Sequence, residues 1–225
     1  MRQPDFPIRQ LIAALCLLFA VNSSAATVKL EPSSTKSGYL ALLLINEVPF
    51  PGEHGYKSER DSKAGMLGVL WVLHSRIYNI PAGYTQLDIA TVETRSIIDV
   101  MTAGGVAGQV DGFYKDKNEN FKAVPRVHER VNNLTRIGNT GTPGTFAALL
   151  NHAQELATAY FESGPRGGDI YAELKWIGPM PITGRSYSWM TDHIRFDPGG
   201  QYVRIPDRLN GALGGNRFFT LKKPK

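Results

Sequence analysis

Residues 39–47 read YLALLLINE and residues 48–56 read VPFPGEHGY; the junction between them decides the fold. Every side chain from Tyr39 to Ile45 is apolar, which predicts a helix buried on all sides rather than one with a wet face. Pro49 and Pro51 end it, because proline has no N–H for the next turn and its ring clashes with the turn before. Glu47 therefore stands at the end of an apolar helix, at the mouth of a rigid loop. A carboxyl half buried against apolar neighbours is disfavoured in its charged form, so it can hold a proton and serve as a general acid. The plain alternative is a solvated glutamate at a helix end. Glu53, six residues on, is placed to face the same cleft.

Reading outward, Ser58 predicts the N-cap of a second helix over 58–77, with Asp61 in its first turn. Met66, Val69, Leu70, Leu73 and Ile77 recur at helical spacing and mark its core face. Residues 91–102 predict a third helix, closed by Gly104 and Gly105. Residues 109–114 read as a short strand or hairpin arm, and 124–137 and 145–162 as two more helices. The last 57 residues are rich in glycine, proline and aromatic residues and show little helical period; they read as loops and short strands. The expected class is mainly α (α+β), a helical domain with a small β-hairpin and a loop-rich C-terminal segment.

The N-terminus reads as an export signal over residues 1–26. Arg2 and Arg9 precede an apolar run, Leu11 to Val21, and the small or polar residues 22–26 follow it. That order is what a signal peptidase reads. The run is too short to cross a bilayer, which needs about 20 residues. Residues 27–38 then read as a linker into a single domain over 39–225. The only cysteine, Cys16, lies inside the signal, so the exported chain has no thiol for a disulfide, a nucleophile or a metal. The signal carries two arginines and one aspartate, so its removal takes the net charge from +5 to +4. A modest positive surplus favours approach to anionic polymers. No basic block interleaved with aromatics suggests single-stranded nucleic acid.

The catalytic motifs of P-loop enzymes, serine hydrolases, zinc peptidases and dinucleotide-binding enzymes are all missing. No two of the five histidines (54, 74, 128, 152 and 193) stand at metal-ligand spacing. His74 and His152 sit among apolar residues on helices and read as structural. No metal and no cofactor is expected, which leaves the carboxylates.

Several segments, in order, resemble the SleB-type cell-wall hydrolases, which share the lysozyme-like fold with lytic transglycosylases. Leu43 to Glu47 with Gly52-Glu53 is similar to that family's helix ending in a catalytic glutamate and followed by a Gly-Glu pair. Lys63 to Arg76 resembles its next helix, with Ser75-Arg76 in place of Asn-Arg. Val100 with Gly108-Gln109-Val110 resembles its valine and Gly-Gln-Phe segment, and Gly167-Gly168 with Tyr171 a later Gly-Gly segment. Gly214-Gly215-Asn216-Arg217-Phe218-Phe219 resembles its C-terminal Gly-Gly-His-Arg-Phe-Tyr, with Asn216 where histidine is expected. Three extra residues separate Glu47 from Gly52, and Leu174 to Gln201 is longer and more proline-rich than the family pattern. The resemblance implies a lysozyme-like domain that cuts peptidoglycan glycan strands. Glu47 would be its acid, and Glu53, Gln109, Tyr171, Arg217 and Tyr56 would be further site residues. Phe113 and Trp176 join Tyr56 and Tyr171 as rings able to stack on sugars. In the transglycosylase version one glutamate is acid and then base, so no second carboxylate is needed. The alternative is a non-catalytic envelope protein on the same scaffold, binding wall polymer or a partner protein.

Overall fold

The computed structural model describes residues 27–140, 144–162, 186–192 and 197–223. The signal segment, Gly167-Gly168, Tyr171, Trp176 and His193 lie outside them. Helix α1 is Lys36–Asn46, α2 Glu59–Tyr78, α3 Gln86–Ala90 and α4 Ile97–Thr102. A hairpin of β1, Phe113–Lys115, and β2, Phe121–Ala123, follows. Then come α5, Pro125–Thr140, and α6, Thr145–Glu162. The C-terminal strands are β3 Ser188–Thr191, β4 Tyr202–Arg204, β5 Ala212–Leu213 and β6 Asn216–Leu221. Helices with two small antiparallel sheets make this an α+β protein.

Helix α1 is the axis of the core. Its side chains from Tyr39 to Ile45 are all buried, against α6 and α5 above all. It starts earlier than its apolar run, because Thr35 supplies the N-cap by accepting from the Gly38 N–H at 3.0 Å. The segment read as a linker is docked: the Val28, Lys29 and Glu31 N–H groups donate to Asn139, Asn151 and Gln154 on α5 and α6. The Tyr39 hydroxyl donates to the Lys122 carbonyl at 2.7 Å, and its ring stacks on Phe121, which fixes the β1–β2 hairpin to α1.

Two predicted elements differ from the structure. The helix expected over 91–102 begins only at Ile97; residues 91–96 are not helical, and a separate short helix, α3, precedes them, because each helix has its own start signal. Thr85 and Asp88 form a capping box for α3, and Ser96 caps α4. Thr91 between them turns left-handed at φ 55° and ends the first. The strand expected at 109–114 lies at 113–115 instead, after a 3-10 turn at Gly105–Ala107 and the irregular residues 108–112. The helix at 145–162 has the predicted bounds, and Ser58 caps α2 as expected.

In the C-terminal sheet β6 pairs with β3, β4 and β5. Trp189 faces Phe218 across the ladder and Thr191 faces Asn216, so by strand alternation these four share one sheet face. The two-residue turn from β5 to β6 is Gly214-Gly215, both at positive φ, as a tight hairpin turn requires. The turn lies directly on α2. A Cβ on Gly214 would come within 2.4 Å of the Gly65 Cα, and one on Gly215 within 2.6 Å of the Pro49 ring. Phe218 fills the neighbouring notch over Gly68. Gly214→Ala combines a left-handed backbone with a backbone–backbone clash. It should cost about 2–4 kcal/mol in urea-melt stability, whereas an exposed loop glycine such as Gly199 should tolerate alanine at about 1 kcal/mol.

Candidate functional site

The fold brings Glu47 to the floor of a cleft of about 610 Å³. Asn46, Gln109, Val110, Asp111, Phe113 and Trp189 line it, with Arg126 and Arg130 on the α5 side. Glu47 is the C-cap of α1, and its N–H makes the last helical bond, to the Leu43 carbonyl at 3.0 Å. Its carbonyl accepts from the Asn216 side-chain amide. Its carboxylate Oε2 accepts from the Trp189 indole N–H at 2.7 Å. The β5–β6 turn on α2 delivers Asn216, and the β3–β6 register delivers Trp189, so the C-terminal sheet grips Glu47 at both its backbone and its side chain.

The carboxyl is recessed and its pKa is raised above the usual 4.5. Burial is the main cause; the Trp189 bond and the Arg130 charge pull the other way, and the Asp111 charge adds a smaller upward push. The negative end of the α1 dipole also disfavours charge at this position. The group is thus placed to hold a proton in a polar cleft and give it up there.

Glu53 has a different place. Its carboxylate takes a two-point contact from Arg130, Nε at 3.0 Å and Nη2 at 2.5 Å, and also accepts from the Phe50 N–H at 2.7 Å. Arg130 further donates to the Ile45 carbonyl at 2.6 Å and the Val48 carbonyl at 2.9 Å. Such forked pairs position backbone as well as charge. Here they lock the end of α1 to the loop that carries the two prolines. Glu53 does not line the cleft.

Of the other predicted residues, Gln109 lines the cleft, and its side-chain oxygen accepts from Arg76 at 2.8 Å. Phe113 lines it too, as a buried ring packed edge-on against Tyr39. Tyr56 packs against the core away from the cleft. Arg217 pairs with Asp192 at 2.8 Å and donates to the Leu209 and Asn210 carbonyls, tying the C-terminal segment together. Tyr171 and Trp176 are not among the described residues.

Trp189, Asp111, Arg126 and Arg130 are cleft residues that sequence reading did not single out. Asp111 and Arg126 are exposed and form an ion pair with each other at the rim. Burial pushes His74 and His152 down to about 4, so both are neutral near pH 7. Among the described residues no group of three or more His, Cys, Asp or Glu side chains is placed to hold a metal ion. Among them, too, no helix is long and apolar enough to cross a membrane.

No protein-family model, no curated protein and no solved structure matches this chain. The site defines a class by its geometry alone: an α+β protein with, among the described residues, a recessed carboxyl of raised pKa lining an open polar cleft.

Proposed function

We propose that the chain is an exported enzyme that cleaves the glycan strands of peptidoglycan, of muramidase or lytic transglycosylase type, with Glu47 as general acid and then base. The observation that carries the reading is the Glu47 carboxyl: at a helix end, on the floor of a cleft, with its pKa raised by burial. The residue pattern around Glu47 and around Gly214 to Phe219 adds a resemblance to SleB-type hydrolases on a lysozyme-like scaffold. Glycosidic cleavage needs a proton on the leaving oxygen and stabilisation of an oxocarbenium-like sugar. Glu47 supplies the first. The Trp189 N–H then stabilises the carboxylate left behind, which becomes the base for the second half of the reaction.

Purified protein added to purified peptidoglycan sacculi tests the reading. The expected result is loss of turbidity with release of soluble fragments, fastest on the acidic side, where Glu47 is protonated. An inactive protein that still sediments with sacculi would support the non-catalytic envelope protein instead.

A further inference from the structure

Arg76 is the only lysine or arginine among the described residues that is buried, at 3 % exposure. A guanidinium out of water must find partners or be replaced by something apolar. Its Nε donates to the Tyr187 carbonyl at 2.8 Å, and its Nη1 donates to the Gln109 side-chain oxygen at 2.8 Å. Its Cζ lies 5.5 Å from the centre of the Trp189 ring, within cation–π range. The Tyr202 phenol also acts on it. None of these described partners is a carboxylate, and among the described residues Arg76 makes no ion pair. Two of them, Gln109 and Trp189, line the cleft, and Tyr187 stands two residues before Trp189 on the same chain segment.

We propose that Arg76 is the positioning residue of this site: its guanidinium holds the oxygen side of the Gln109 amide and the ring of Trp189, so that the indole N–H meets Glu47. With its oxygen taken by Arg76, Gln109 is left with its NH₂ as the free end, a donor for a ligand carbonyl or hydroxyl. Arg76 acts on Glu47 only through Trp189. The groups that bear on Glu47 directly come from other elements: Trp189 from β3, Arg130 from α5 and Asp111 from the loop before β1. Arg126, also on α5, lines the same cleft.

The inference deepens the proposed function, and its test needs no substrate. The side-chain carboxyl of Glu47 is titrated by NMR in protein labelled with ¹³C-glutamate, assigned by its disappearance in Glu47→Gln. The bond donated by Trp189 favours the carboxylate, so its loss raises the midpoint. In Trp189→Phe the midpoint should rise by about half a pH unit, the scale of one lost hydrogen bond. Arg76→Met should raise it by a similar amount, and the double variant should add little more, because both changes remove the same bond. Arg76→Lys keeps a charge without the planar fork and should still raise the midpoint. An unchanged midpoint in folded Arg76→Met, or a double variant equal to the sum of the singles, would overturn the inference. Should Arg76→Met fail to fold, Arg76→Lys decides it, an unchanged midpoint again counting against. A wild type that degrades no glycan but gives these midpoints would defeat the enzymatic reading and leave the role of Arg76 standing.

Discussion

Glu47→Gln should lower the release of glycan fragments by at least about a hundredfold, the usual scale of a lost acid–base group. Glutamine keeps the shape and still accepts from the Trp189 N–H, but it has no proton to deliver. The same variant should be at least as stable as wild type near pH 7. The folded pKa of Glu47 lies above the unfolded value of 4.5, so the native state binds the proton more tightly than the unfolded state. Below the unfolded value both states are protonated and the site costs nothing. As pH rises through the folded value the native carboxyl must ionise while recessed, and stability falls. Urea melts should therefore show the advantage of Glu47→Gln over wild type growing as pH rises from 4 towards 7. A functional group that destabilises its own fold is the expected trade-off at an active site. Full activity in the variant would remove Glu47 from the chemistry.

Arg130→Met should lower stability measurably. The change removes the contacts to the Ile45 and Val48 carbonyls and both contacts to Glu53. It also leaves the Glu53 carboxylate without its cation. The pair is partly open, with side-chain exposures of 26 % and 36 %, so water replaces some of what is lost. An expected cost of about 2–3 kcal/mol follows, below that of breaking a fully buried pair. The melting temperature should drop by about 5–10 °C. Glu53→Gln should cost less, about 1 kcal/mol, because the amide oxygen still accepts from the Phe50 N–H, and Arg130, though it loses its carboxylate, keeps its bonds to the Ile45 and Val48 carbonyls. It should also cost far less activity than Glu47→Gln. Equal stability of Arg130→Met and wild type would show that the junction after α1 holds without this clamp.

Local signals were legible in the sequence; long-range partners were not. The wholly apolar run 39–45 identified α1 as a core helix, and the prolines after it placed Glu47 at its end. Ser58 marked the start of α2, and the pattern of 145–162 gave α6 with its observed bounds. The start of α4 was placed too early because Ser96 was not recognised as its N-cap, and α3 was missed because the Thr85–Asp88 capping box was not recognised as a helix start. Glu47 was singled out as a candidate by its position and by the family resemblance around it. What surrounds it was not: Trp189 is 142 residues away, and Arg130 is 77 residues from Glu53. No local period links such pairs; sheet register and helix packing do. Asn216 stood out in the sequence only as a departure from a family pattern, whereas in the fold it grips the Glu47 carbonyl.

The most direct test of the central claim is a mass spectrum of the soluble products from purified peptidoglycan treated with wild-type protein, with Glu47→Gln run in parallel. Cleavage by Glu47 acid–base chemistry predicts fragments cut between sugars, with 1,6-anhydro-muramyl ends for a transglycosylase or free reducing ends for a hydrolase, and none from the variant. Intact glycan strands after treatment with folded wild-type protein, or the same fragments from both proteins, would contradict it.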